Sequence, residues 1–224
     1  MIPFWDIIQG SPEWWEVRKS VPTTSEFRRI ITPANEEFSK GAATYAAELV
    51  AQKISLHAPP NVENYTTRAM RFGREMESEA RAEYRNVTGN HVRLIGFCKT
   101  NDGRFGSSPD GIITNDPEAV EYYSMGALEL KCPEAKTHMA WLLGPSKGKA
   151  RDQWEADGRL PLAHKCQVHG ELIVTGLPFA EFFSYSSGCP NIRIKVVPNS
   201  FTLKMREAME RFWELYLECQ KKVS

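Results

Sequence analysis

Residues 126–136 read GALELKCPEAK. The run is short, leans apolar, and stops at Cys132-Pro133, as a strand does before a residue that cannot continue the ladder. Glu129 and Lys131 stand two apart, so on a strand they share one face while Leu128 and Leu130 take the other. An exposed pair of this kind contributes at most about 1 kcal/mol. The same spacing also suits half of a metal site, and the two readings are separated only by what surrounds them.

Upstream lies Ser107-Ser108-Pro109-Asp110-Gly111, in which Asp110 occupies a turn or strand end. Eighteen residues stand between Asp110 and Glu129, enough for a strand, a turn and a return. Antiparallel neighbours would bring the two carboxylates together with Lys131 beside them. Two carboxylates, a main-chain carbonyl and waters form an all-oxygen shell suited to Mg²⁺ or Mn²⁺. Such an ion lowers the pKa of bound water and stabilises charge on a phosphate. The lysine would position the water and neutralise developing charge.

The remainder of the chain bounds the possibilities. Its 224 residues are 42% hydrophobic and 25% charged, with 28 basic against 28 acidic side chains. That composition describes one globular core, and the neutral balance argues against a polyanion binder that relies on bulk charge. Metal-site carboxylates offset basic clusters elsewhere, so a nucleic-acid enzyme remains open. Five dispersed cysteines without a C-x-x-C pair argue against a disulfide framework, structural zinc or an iron–sulfur cluster. No apolar run approaches a membrane span, and MIPFWDIIQG lacks a basic segment followed by an apolar one. A cytoplasmic location is expected.

Helical pattern occupies 41–56, 66–88, the segment after Pro161, and 199–222. In the second of these Met76, Ala80 and Tyr84 form a core stripe, and Glu77 lies beside it near Arg74 and Arg81. In the last, Met205, Met209, Phe212, Trp213 and Tyr216 form another. Residues 91–100, 104–115 and 126–132 read as an antiparallel meander, followed after the next helix by strands in 179–187 and 191–198. The order implies an α/β (α+β) fold, a central mixed sheet flanked by helices in a single domain spanning 1–224. Near the N-terminus Ser11-Pro12 opens a short helix. Thr23 with Glu26 three residues on forms a capping-box pattern. A capped helix start favours an anion, and Arg18 with the hydroxyls of Thr23, Thr24 and Ser25 strengthens that reading over a plain cap.

The pair of motifs S-P-D-G and L-E-L-K-C-P resembles the PD-(D/E)XK nuclease core, and specifically the YqaJ-type viral recombinases, the family of bacteriophage lambda exonuclease. GSPEWWEVRKSVPTTSEF resembles the opening segment of that family. FGREMESEARAEYRNVTG resembles its glutamate helix, and HKCQVHGELIVTG its helix with a glutamine beside the site. The motifs run in order over about residues 10–175. The resemblance implies a restriction-endonuclease-like core in which Asp110, Glu129, Glu77 and the Leu130 carbonyl hold Mg²⁺ (Mn²⁺ substituting), with Lys131 and Gln167 catalytic. It implies a 5′-phosphate pocket of Arg18, Ser25 and Ser108, with Met70 as the apolar wedge between strands. It further implies a toroidal homotrimer, phage or prophage encoded, that degrades one strand of duplex DNA 5′→3′ to mononucleotides and works with a single-strand annealing protein. The chain departs from the family at Thr32-Pro33-Ala34-Asn35, which carries no arginine, and at His164, where a tyrosine is familiar. An endonuclease on the same core and a noncatalytic DNA-binding protein are the competing readings.

Overall fold

The structure, a computed structural model, describes residues 1–54, 68–115, 124–144 and 160–223, the side chains of 68–72, 74 and 124 excepted. In chain order the elements are β1 (Ile2–Phe4), α1 (Pro12–Arg18), a 3-10 helix (Thr24–Arg29), α2 (Ala42–Ile54), α3 (Arg68–Thr88), β2 (His91–Arg93), β3 (Phe97–Lys99), β4 (Gly106–Ser107), β5 (Gly111–Thr114), β6 (Ser124–Lys131), α4 (Ala135–Leu143), α5 (Leu162–Thr175), β7 (Ala180–Ser184), β8 (Ile192–Val196) and α6 (Ser200–Lys221). Residues 55–67, 116–123, 145–159 and 224 lie outside what is described, as do the side chains of Arg68, Arg71 and Arg74.

A five-stranded mixed sheet, ordered β2-β5-β6-β7-β8, forms the centre. β6 pairs antiparallel with β5 and parallel with β7. Parallel neighbours require a long crossover, and the chain between Lys131 and Ala180 supplies it with α4 and α5. Alternation along β6 sorts its side chains as the period of two demands. Leu128 and Leu130 join Ala80 and Tyr84 of α3 in one apolar cluster. Ala127 packs on the opposite side with Val168 and Leu172 of α5. A third cluster joins α2, the 3-10 helix, α5 and α6 through Phe27, Tyr45, Leu49, Met205 and Phe212. No helix among the described residues is long and apolar enough to cross a membrane.

The meander expected over residues 91–132 is corrected in its layout. Residues 91–100 divide between two sheets, with β2 on the edge of the five-stranded one and β3 at the centre of a three-stranded sheet ordered β1-β3-β4. The division falls at Gly96, whose N–H donates to Phe4 O at 3.2 Å and whose carbonyl accepts the Trp14 indole N–H at 2.9 Å. Those backbone groups therefore leave the first ladder. Residues 104–115 divide again at Pro109, which has no N–H to donate. The Asp110–Glu129 hairpin survives this division. Of the α3 stripe, Ala80 and Tyr84 are buried and Met76 is half-buried.

The start of the 3-10 helix is a second correction. Thr23 occupies the N-cap position but makes no side-chain cap bond. Its Oγ1 instead accepts from Arg18 Nη2 at 3.3 Å.

α5 runs through the middle of the molecule and is buried almost all round, as a helix enclosed by other elements must be. Its approach to the 3-10 helix depends on Gly170. A Cβ there would fall 2.6 Å from Phe27 Cδ2 and 3.0 Å from Thr24 Cγ2. Gly170→Ala is accordingly expected to destabilise by about 1–3 kcal/mol, the usual result of overpacking, despite alanine's better helix propensity. Urea unfolding measures this as a lower midpoint at unchanged slope.

Candidate active site

The end of the β5–β6 ladder builds the site. Gly111 is the last β5 residue in register, opposite Leu128, and one step beyond it the Asp110 N–H donates to Leu128 O at 2.9 Å. The Leu130 N–H then has no backbone partner on β5. Asp110 Oδ2 takes it at 2.6 Å. Leu130's carbonyl leaves the strand on the same edge as its N–H, so it lies on the side where Asp110 stands.

Glu129 projects towards α5 and is only 1% exposed. Its Oε1 accepts from Gln167 Nε2 at 2.6 Å and from the Lys131 ammonium. Its Oε2 is buried with no donor among the described residues. Burial, the Glu129 charge and Glu77 push the Asp110 carboxyl well above the ordinary carboxylate range, against the pull of Lys131. For Lys131, burial opposes the charge, but Glu129 and Asp110 together outweigh it and hold the ammonium above its usual value. Lys131 is therefore a cation throughout the physiological range. Glu77 sits half-buried on α3, and its charge is felt at both Asp110 and Cys132. The Cys132 thiol is half-buried; burial and those carboxylates push it up to about 12, so it is not a nucleophile.

α5 presents His164, Gln167 and Glu171 at helical spacing. His164 packs edge-on against Trp141 and tilted against Phe182, each at 5.2 Å between ring centroids. Burial and the nearby Lys131 charge lower its pKa to about 3, so the ring is neutral. Glu171 was not among the residues the sequence singled out. It is 0% exposed, and burial and Glu129 raise it well above the carboxylate range. The available signal was its position: one turn after Gln167, on the same helix face, inside the apolar run that ends α5.

A second cluster lies close by along the chain. Arg18, at the end of α1, lays its guanidinium 4.0 Å from the Trp14 ring centroid. It donates to Ser108 Oγ at 3.1 Å and to Thr23 Oγ1 at 3.3 Å. Among the described residues no carboxylate forms an ion pair with it, and burial lowers its pKa to about 10. Ser108 Oγ also accepts the Trp14 indole N–H at 2.9 Å. With two donors already received, its own proton is left to give. Thr23 lies 3.3 Å from Ser25, oxygen to oxygen, and Ser25 is exposed. The structure thus gathers Arg18, Thr23, Ser25 and Ser108 at one place and Asp110, Glu129, Lys131 and Gln167 at another, two residues on from Ser108. The Met70 side chain lies outside the described residues.

Among the described residues no three Asp, Glu, His or Cys side chains close a cation shell by themselves. The donor set nevertheless fits Mg²⁺, which keeps several waters and takes one or two carboxylates. The buried Glu129 Oε2 without a donor is the atom of this site that most needs a partner.

The sequence matches the family model of the YqaJ-like viral recombinase domain over residues 13–178. No curated protein matches it. Among solved structures, the chain is similar to an alkaline exonuclease (LHK-Exo) from Laribacter hongkongensis, at 23% identity and a TM-score of 0.70 over 94% of this chain and 95% of that one. That exonuclease has also been solved in complex with dAMP. A phage-related exonuclease from Haemophilus somnus 129PT matches at 11% identity and a TM-score of 0.58 over 91% and 96% of the two chains. What these likenesses share with the chain is the PD-(D/E)XK-like fold, a mixed α/β core flanked by helices.

The raised carboxyls of Asp110 and Glu171 set a pH dependence. Each binds its proton more tightly when folded, so its contribution to stability is complete below the ordinary carboxylate pKa of about 4 and is lost as pH rises towards the raised value. Within that window each group costs up to about 1.4 kcal/mol per pH unit, or about 3–6 °C in Tm for a chain of this size. In EDTA, Asp110→Asn should melt progressively above the wild type as pH rises from about 4 to 8. Thermal scans across that range check it, and a pH-independent offset between the two would contradict it.

Proposed function

The chain belongs to the YqaJ-like viral recombinase domain family, and on that premise we propose that it is a Mg²⁺-dependent 5′→3′ exonuclease acting on double-stranded DNA. It would release 5′-mononucleotides and leave 3′ single-stranded overhangs for recombination by strand annealing. The observation that carries this reading is the meeting of Asp110, Glu129 and Lys131 at the end of the β5–β6 ladder, two residues from the half-buried Arg18 cluster.

Asp110, Glu129 and the Leu130 carbonyl would hold the ion, with Glu77 beside them. When bound, it supplies Lewis acidity, acidifying a water and offsetting charge on the scissile phosphate. The protein's own groups do the rest. Gln167 fixes the Glu129 carboxylate through Oε1. Lys131, permanently charged, orients the attacking water and neutralises charge gathering on the phosphate. His164 is neutral beside Lys131, so it adds no repulsion to the lysine and helps to shut water out.

The Arg18 pocket supplies direction. A guanidinium fixed over Trp14, with the hydroxyls of Ser25, Thr23 and Ser108 around it, suits a doubly charged terminal phosphate. Two residues of extended chain from Ser108 to Asp110 reach about 7 Å, on the order of one nucleotide. A 5′-phosphate held by Arg18 therefore sets the next phosphodiester at the carboxylates, giving 5′→3′ travel and mononucleotide products. The dAMP bound by the Laribacter exonuclease is consistent with such a product. Family likeness further supports a single nuclease domain over 1–224, a toroidal homotrimer, Met70 as the strand-separating wedge, a single-strand annealing partner, and a phage-encoded protein working in the bacterial cytoplasm.

Asp110→Ala and Glu129→Ala should each reduce degradation of a 5′-phosphorylated linear duplex to background while the melting transition survives. Lys131→Ala should lower kcat by about 10²–10⁴-fold with little change in DNA affinity. Full activity in either carboxylate variant sinks the assignment. Arg18→Ala should remove the preference for 5′-phosphorylated over 5′-hydroxyl ends. A charge-assisted bond is worth about 1.5–3 kcal/mol, so that preference should shrink by about 10–100-fold; an unchanged ratio refutes the pocket.

A further inference from the structure

The chain passes between its two sheets at Ile95-Gly96, from β2 to β3, and at Ser108-Pro109, from β4 to β5. The turn before α1 ties these crossings together. The Gln9 side-chain amide donates to Ile95 O at 3.1 Å and to Pro109 O at 2.9 Å. Ile95 and Pro109 are both buried, so their carbonyls need donors from within the protein. Trp14 bridges the same crossings, sharing its indole N–H between Gly96 O and Ser108 Oγ, each at 2.9 Å. Gln9 is aimed by its own turn, in which the Ser11 N–H donates to Ile8 O at 3.0 Å. Gly10 completes that turn at φ 88°, a left-handed conformation that glycine adopts freely. The preceding residues press on the first crossing, since a Cβ on Gly96 would fall 1.9 Å from Ile7 O.

We infer that Gln9 is a positioning residue that sets the spacing between the Arg18 pocket and the carboxylates by holding the Pro109–Asp110 peptide. The inference rests on the function proposed above, in which a 5′-phosphate at Arg18 and Ser108 brings the next phosphodiester to Asp110. A peptide unit is planar, so its oxygen and its N–H move together. The oxygen of the Pro109–Asp110 unit accepts from Gln9, and its N–H donates to Leu128 O at 2.9 Å. Pinned at both ends, the plane resists turning. The Ile95–Gly96 unit is pinned in the same way, its oxygen by Gln9 and its N–H by Phe4 O at 3.2 Å. One amide therefore ties the entrance to Asp110 to the edge of the three-stranded sheet. Without it, the Pro109–Asp110 plane pivots on its bond to Leu128. Ser108 stays with the pocket, because Trp14 and Arg18 hold its hydroxyl. Asp110 stays with the central sheet, because its carboxylate keeps the Leu130 N–H. Each cluster survives, and what changes is the distance between them.

The test uses the full chain carrying Gln9→Met or Gln9→Glu, which at pH 8 keep the length of the side chain and remove the donor. Two replacements guard against one that fails to fold. Linear duplexes with 5′-phosphate or 5′-hydroxyl ends are degraded in Mg²⁺, below the melting transition of every variant, and kcat and KM are read for each end. A misplacement of about 1 Å can cost about 10²-fold, so kcat on 5′-phosphorylated ends should fall by about 10–100-fold, with KM within about threefold of wild type. On 5′-hydroxyl ends no phosphate in the pocket fixes the distance, and kcat should change by less than about threefold. The glutamate variant, with a carboxylate against two carbonyl oxygens, should be the more affected. A kcat that falls by the same factor on both ends overturns the inference, because Gln9 would then support the fold or the carboxylates and not their spacing. Wild-type kcat on phosphorylated ends in both variants also overturns it. The wild type and Arg18→Ala are the controls. If the wild type does not distinguish the two ends, the pocket reading fails and this inference with it. If the wild type does, Arg18→Ala does not, and the Gln9 variants behave as wild type, only the role given to Gln9 fails.

Discussion

The hydrogen bond from the Leu130 N–H to Asp110 Oδ2, 2.6 Å long, is the contact on which the arrangement of the site depends. It closes the β5–β6 ladder with a side chain where a backbone carbonyl would otherwise sit. The strand can then end at Cys132-Pro133 without an orphaned amide, and the carboxylate is fixed beside the edge of β6. Because β6 alternates from Gly126 to Lys131, locking Leu130 also fixes the neighbours on either side of it. Glu129 and Lys131 must turn towards α5, where Gln167 and Glu171 wait. A one-residue slip of this register would place the two leucines against those polar groups and bring both charges into the apolar cluster under α3.

The same turn joins the Arg18 cluster to the carboxylate cluster. Ser108 receives Trp14 and Arg18 from α1, and two residues later Asp110 enters the five-stranded sheet. The three-stranded sheet, through β4, and the central sheet, through β5, are thereby held at a set separation across Ser108-Pro109-Asp110, which proline stiffens. Under the proposed function, this separation would set the distance between the 5′-phosphate pocket and the hydrolytic centre. The electrostatic cost of the arrangement is visible in the raised Asp110 carboxyl, where burial and like charges work against folding. Stability is given up locally at a place where a cation would restore it.

Much of this was legible in the chain. Glu129-x-Lys131 after Asp110 foretold that these three side chains gather, because a period of two and antiparallel pairing determine which side chains meet. Arg18 and Ser25 were found through helix-start chemistry, although the detail was different: Thr23 turns its hydroxyl to the arginine instead of capping. The division of residues 91–115 between two sheets was not legible. It is set by Trp14 and Phe4 taking the Gly96 backbone groups, contacts that span more than eighty residues of sequence. Glu171 was missed for a related reason. Periodicity places it on the Gln167 face, but only the packing of α5 against β6 shows that this face is closed to water and that the glutamate looks at Glu129.

Covalently closed circular duplex and the same duplex linearised with 5′-phosphate ends, each incubated with Mg²⁺ and with EDTA, provide the most direct measurement. An exonuclease with these carboxylates and this pocket converts the linear DNA to mononucleotides and single strands in Mg²⁺ alone, and leaves the circle intact. Nicking or linearisation of the circle, or degradation that persists undiminished in EDTA, contradicts it.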